Sequence, residues 1–265
     1  MKTILLMVHD DAGQESRLQC ALDATRAVDG HLVCLDLLRM PVVVDAYGVG
    51  VGQAAVILDE REREDSHIGR LEPRLRNEGI AYEFARMRGE FDLAIAQGGR
   101  LADLIVVSNQ SVAELKDQGD LPARVAQLTS APILSVPVGQ KQFDIFGKAI
   151  VAWDGSAPAA AAVRAAAPLL AKASEVEVLT IADKGVDADP QDVAAYLARH
   201  GCKVAVTTIV RNGAIGDQLI REFASSGAAW GVVGSYGHSR MREQIFGGTT
   251  RTLLSGATMP LLISH

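Results

Sequence analysis

The sequence predicts an α/β protein of two tandem domains, each a five-stranded parallel sheet flanked by helices in a Rossmann-like α/β/α sandwich. Three observations predict it. Short apolar runs rich in Val, Ile and Leu recur ten times along the 265 residues, as buried parallel strands do. Helix-like segments separate them, and that alternation requires parallel architecture. The second half then repeats the landmarks of the first, which divides ten strands into two sets of five.

In the first half the predicted strands are ILLMV (4–8), HLVCLDLL (31–38), AYEFARM (81–87), LIVVS (104–108) and ILSVPV (133–138). In the second they are AIVAW (149–153), VEVLTIA (176–182), KVAVTTIV (203–210), WGVVGS (230–235) and PLLIS (260–264). Helical periodicity marks 15–28, 161–173, 190–200 and 214–226, and RTLLSGA (251–257) continues the pattern. The charged run DEREREDSHIGRLEPRLR (59–76) reads as one solvated helix face with i,i+4 pairs.

The repeat fixes the division. Asp10 follows the first strand of one half as Asp154 follows that of the other, and ADLIVVSNQS (102–111) matches AAWGVVGSYG (228–237). Domains over 1–142 and 146–265 are expected, joined near KQFDIFGK (141–148). The first half is longer, and the surplus falls in the apolar, Gly-rich run 39–56. That run reads as a lid, a partner surface or a loop packed on its own domain.

Composition excludes several classes. No apolar run reaches the roughly 18 residues of a membrane span. MKTILLMVHDDAG lacks the apolar length and the cleavage site of a signal peptide. The three cysteines form no CxxC pair and sit in apolar segments, as buried thiols of a cytoplasmic protein do. A net charge of −6 argues against general nucleic-acid binding. The charge is uneven. Residues 1–145 hold 15 Lys+Arg against 22 Asp+Glu, a net −7, whereas 146–265 hold 11 against 10, a net +1. The second half is the better host for an anion.

One stretch of that half carries the chemistry, GSYGHSRMREQIFGGTT (234–250). Gly234 and Gly237 follow a strand directly, where parallel sheets bind ligands. Gly247 and Gly248 precede a helix whose first amides have no partner within it. Glycines admit positive φ and close approach of an anion, and helix amino ends favour negative charge. Thr249 and Thr250 can donate hydroxyls or cap the helix. His238, Arg240, Arg242 and Arg251 add positive charge. The two glycine clusters read as two jaws of a phosphate cradle, although the same pairs also mark tight turns.

With VAWDGS (151–156) after the first strand, this order and spacing resembles the universal stress protein family, in two tandem copies over nearly the whole chain. The resemblance implies cytoplasmic α/β proteins, many of which bind ATP or another adenine nucleotide. It implies an adenine nucleotide as ligand here, with Mg2+ as a companion ion left open. It places Asp154 at the adenosine end and Gly234, Gly237 and Gly247 at the phosphates. Where the family usually has Ser or Thr after the last of these glycines, this chain has Gly248. Hydroxyls come only at Thr249 and Thr250, which weakens the expected hold on terminal phosphates. Trp153 is a candidate for stacking on the base, or for the core.

The matching first-half loop, SNQSVAELKDQGDLPAR (108–124), has no glycine at Ser108 or Ser111. Pro122 removes an amide, and Glu114, Asp117 and Asp120 would repel phosphate. This half is expected to hold no phosphate, with Asp10 as a strand-end or cap residue. His9, Asp10 and Asp11 are adjacent, so their side chains cannot converge on one ion. No metal site and no catalytic residue is expected. A nucleotide-binding signalling or stress-response module is the leading function, with an unidentified protein partner. The alternatives are a scaffold that binds no nucleotide and a slow ATP hydrolase, for which the sequence names no general base. The terminal strands ILSVPV and PLLIS are expected to meet as edge strands of an internal pseudo-dimer, and further homodimerisation is left open.

Overall fold

The computed structural model describes residues 1–38, 66–109, 121–182, 189–235 and 248–265. The run 39–56 therefore lies outside the described residues, as do Glu114, Asp117, Asp120, Gly237, His238, Arg240, Arg242 and Gly247.

The chain alternates strand and helix. β1 (Thr3–Val8), α1 (Gln14–Val28) and β2 (His31–Leu38) lead to a helical stretch over 66–76, α2. β3 (Ala81–Arg88), α3 (Phe91–Gly98), β4 (Leu104–Ser108), α4 (Leu121–Leu128) and β5 (Ile133–Val136) complete the first half. The second half runs β6 (Ala149–Ala152), α5 (Ala157–Leu170), β7 (Val176–Ala182), α6 (Pro190–Arg199) and β8 (Val204–Val210). It ends with α7 (Ile215–Ser225), β9 (Trp230–Gly234), α8 (Gly248–Gly256) and β10 (Leu261–Ser264). All ten predicted strands are present. The helices α3 and α4 are additions. Each is eight residues long, barely two turns, which leaves little periodicity to read.

The strands form one sheet in the order β3-β2-β1-β4-β5-β10-β9-β6-β7-β8. Within each half every pairing is parallel and the order is the same. Among the described residues the one antiparallel pair is β5 with β10, Ser135 opposite Leu261 and Ile133 opposite Ile263. The expected meeting of the two terminal strands is thus the seam of the molecule, and it removes two open edges at once.

Burial follows position in this sheet. Five residues of β1 and all of β4, β5 and β10 are buried. The outer strands β3 and β8 alternate or are largely exposed. Strand side chains point alternately to two faces, so two core layers form. One layer holds Ile4, Leu6 and Val8 with Leu18 and Leu22 of α1, Leu75 of α2 and, further along the sheet, Val163 of α5 and Leu197 of α6. The other holds Leu5 and Met7 with Ile95 of α3, Val125 of α4 and, further along, Phe223 of α7 and Leu254 of α8. Both layers run through both halves without a break. The connecting segment is bound into them, because Phe143 meets Trp230 edge-on at 5.5 Å and donates its N–H to Asp23 at 2.8 Å.

Candidate functional site

In each half the strand order reverses between two neighbours, β1 and β4 in the first and β6 and β9 in the second. Such a reversal opens a crevice at the carboxyl ends of the strands, where parallel α/β folds take ligands. The antiparallel seam turns the second set of strands end for end, so the two crevices open at opposite ends of the sheet.

The second-half crevice contains the described part of the sequence-predicted site. Past β6 the chain turns at Asp154, Gly155 and Ser156 into α5. Gly155 has φ of +73°, a left-handed conformation open to glycine and costly for other residues. One carboxylate oxygen of Asp154 accepts from Ser156 N–H at 3.0 Å. Ser156 caps α5 by accepting from Ala159 N–H at 3.2 Å. Asp154 thus shapes the turn, and Ser156 is the cap. Trp153 is half-buried against the core and donates its indole N–H to Asp189 O at 3.3 Å.

Gly234 closes β9 directly against this turn. A Cβ there would lie 2.7 Å from Pro158 C and 2.8 Å from Ala159 Cα, with Ala159 N nearer still. Glycine at 234 is therefore required by the approach of α5 to the sheet, whatever else it binds. The next residue, Ser235, is fully buried, and both its N–H and its hydroxyl donate to Ser264 O, at 2.8 and 3.0 Å. Across from β9, Gly248 opens α8, and no atom of the described residues lies within 4 Å of an added Cβ. Thr249 is exposed, whereas Thr250 is buried and turned inward. Arg251 is exposed in the same first turn. The amino end of α8 is held against α7 by close packing at Gly216, whose Cβ would touch Thr252 and Thr249 O.

The first-half crevice is filled by its own chain. Arg17 is completely buried. Its guanidinium pairs with both carboxylate oxygens of Asp11 at 2.8 and 3.0 Å. It also donates to Ser108 Oγ at 2.7 Å, Gln14 Oε1 at 3.0 Å, and the carbonyls of Met7 and His9 at 3.2 Å each. These groups belong to the ends of β1 and β4 and the start of α1, the same three elements that frame the crevice. A planar fork of five N–H donors satisfies such a ring of acceptors as no ammonium could. No sequence signal announced this, because Arg17 stands in the first turn of α1 among ordinary polar residues.

The ladders also correct the alignment of the halves. Ile4 pairs with Leu104 as Ala149 pairs with Trp230. Counting onward, His9 is level with Asp154, and Asp10 with Gly155. The turn into α1 is two residues longer than the turn into α5, which hid the shift. Asp10 is neither cap nor counterpart. It leans outward to α2, 3.0 Å from Arg70 and 3.6 Å from His67. His9 packs edge-on against Phe91 at 5.1 Å, so His9, Asp10 and Asp11 take three separate directions.

An open groove of about 470 Å3 lies elsewhere, between α1 and residues 141–146, lined by Gln19, Asp23, Arg26, Lys141 and Phe146 among others. It shares no residue with either crevice and lacks the strand-end amides that recognise an anion.

No family model matches the chain. A curated relative, universal stress protein Slr1230 of Synechocystis, is 28% identical over 171 residues, covering 60% of this chain and 57% of that protein. The chain thus matches little more than half the length of that relative. A crystal structure of a universal stress protein from Archaeoglobus fulgidus superposes with a TM-score of 0.79 at 16% identity, covering 99% of this chain and 95% of its own. A functionally unknown protein from Pseudomonas aeruginosa superposes with a TM-score of 0.59 at 17% identity, over 99% and 92%. Among the described residues no helix is long and apolar enough to cross a membrane. The fold is that of the universal stress proteins along the whole chain, and the curated relative supports the same family.

Proposed function

We propose that the chain is a cytoplasmic universal stress-type binding module whose second half takes an adenine nucleotide and whose first half is a degenerate scaffold or partner surface. The observation that carries this reading is the contrast between the crevices. The first is closed by a buried guanidinium and its acceptors. The second has, at the corresponding place in its helix, only alanine. Arg17 is the fourth residue of α1, and Ala160 is the fourth of α5.

In this reading Asp154 faces the ribose and base with its second carboxylate oxygen. The amides of the 234–247 loop and the amino end of α8 receive the phosphates, with Thr249 as hydroxyl donor and Arg251 adding positive charge. Thr250, being buried, supports the helix from within. Occupancy would be reported to a protein partner. Mg2+ would accompany a triphosphate. Calorimetry of metabolite-free protein with ATP, ADP and AMP tests the reading, and heat of binding to none of the three would overturn it.

One observation favours a second reading, an interaction protein without nucleotide. The first amide beyond β9, that of Ser235, already bonds to Ser264 O. In that case the purified protein would carry no ligand absorbing at 260 nm and would gain no thermal stability from any nucleotide.

A further inference from the structure

Asn109 follows Ser108 at the end of β4, level in the ladders with Ser235 of the second half. It is buried, and its own N–H is fixed to Val136 O at 2.8 Å. Its side-chain amide reaches across the seam. Nδ2 donates to Leu254 O at 3.3 Å and Ala257 O at 3.2 Å, carbonyls at the carboxyl end of α8. The last carbonyls of a helix have no partner within it, so one amide from the first half satisfies two acceptors of the second. The contact is one-way, because Ser235 spends both its donors on Ser264 O.

The rest of α8 is tied to the same seam. Beyond residue 256 the chain enters β10, which pairs with β5. Gly256 and Gly216 let α7 pack tightly alongside. With its carboxyl end clamped and its flank fitted to α7, a nine-residue helix has little freedom to slide. Its axial position sets where the amino-end amides lie.

We propose that Asn109 is the positioning residue by which the first half sets α8 for phosphoryl groups in the second, an inference that rests on the nucleotide reading above. The degenerate half would then act on the site without touching the ligand. Loss of the clamp should weaken binding in proportion to contact with phosphate, and leave recognition of the nucleoside unchanged.

The test measures ATP and adenosine affinities for wild type, Asn109→Ala and Asn109→Asp, with hydrogen exchange of the ligand-free proteins. Asn109→Ala should weaken ATP by about five- to tenfold, as expected for one lost hydrogen-bonding group. Adenosine should shift by less than about twofold on the same scale. Asn109→Asp, which sets a carboxylate against two carbonyls, should lose at least as much ATP affinity. Amides of α8 should exchange faster in both variants while those of α5 do not. Equal losses for ATP and adenosine, or no loss for either, would overturn the proposal. If wild type binds no nucleotide, the nucleotide reading falls by itself. Exchange then decides the clamp, and unchanged protection of α8 overturns it too.

Discussion

The two crevices solve one packing problem in opposite ways. In each, the start of a helix must come close to the end of a neighbouring strand. The first half puts the missing side chain on the helix side, at Gly13, whose Cβ would collide with Ser108 Oγ and lie 2.9 Å from Arg17. The second puts it on the strand, at Gly234, whose Cβ would enter the first turn of α5. A glycine on the strand lets the first turn of α5 come directly against the end of β9. A glycine on the helix leaves room for a side chain to fold in, and Arg17 takes it. The two halves thus share a strand order and differ in how the helix start meets the strand end.

The largest expected effect comes from removing that occupant. Arg17→Ala strands the carboxylate of Asp11 and several buried acceptors, and should cost about 3–5 kcal/mol in urea unfolding. Replacing both partners, Arg17→Met with Asp11→Ala, should recover much of that loss, since a buried pair exchanged for apolar groups is often close to neutral. A loss under about 1 kcal/mol for the single variant would mean that the guanidinium is not what closes this crevice.

Next in size is Gly234→Ala. The added methyl has backbone on its far side and cannot be accommodated by a rotamer change. A cost of about 1–3 kcal/mol is expected from overpacking, with nucleotide binding weakened as α5 is pushed outward. Normal stability and binding would show that α5 yields freely.

Gly248→Ser sharpens the contrast from the other side. No described residue comes within 4 Å of a side chain added there, so stability should stay within about 0.5 kcal/mol. A restored hydroxyl should raise ATP affinity by roughly tenfold, the worth of a hydrogen bond to a charged group. Calorimetry with ATP and AMP checks it, and a gain shared equally by AMP would place the hydroxyl away from the terminal phosphates.

The smallest effect concerns acid stability near the seam of connecting segment and sheet. Burial pushes the Glu177 carboxyl up, but Lys148 at 2.7 Å and the Thr207 hydroxyl outweigh it and hold the group below its ordinary range. A folded-state value below the unfolded one stabilises above the unfolded value and is lost as pH falls through the folded one. Glu177→Gln should therefore cost about 0.5–1 kcal/mol at pH 7 and flatten the decline of stability below about pH 4.5. An unchanged acid limb would remove this pair from the account.

The fold was readable because its signals are local and repeated. Ten apolar runs bounded by polar residues show ten strands, since the inner strands are buried on both faces and the outer ones keep β-branched and apolar residues. Helices failed to show where they are short, as with FDLAIAQG and LPARVAQL. The site was half readable. Gly234, Asp154 and Gly248 stand where strand ends and helix starts place them, and each is marked by residue type. Thr249 and Thr250 carry the same residue-type signal, but one is exposed and the other buried, because the facing of a first-turn residue depends on how its helix packs. The pairing of Asp10 with Asp154 failed because two extra residues in a turn shift an alignment that only hydrogen-bonded ladders can fix.

By itself the sequence determined the strand and helix order and the meeting of the two terminal strands, because burial periodicity and edge protection are properties of short segments. Only the tertiary structure decided which crevice is closed, through Arg17, and which half holds α8, through Asn109. Both depend on residues brought together from far along the chain, 91 positions between Arg17 and Ser108 and 145 between Asn109 and Leu254. A guanidinium or an amide gives no local sign of which distant acceptors will surround it, so no reading along the chain could have assigned them.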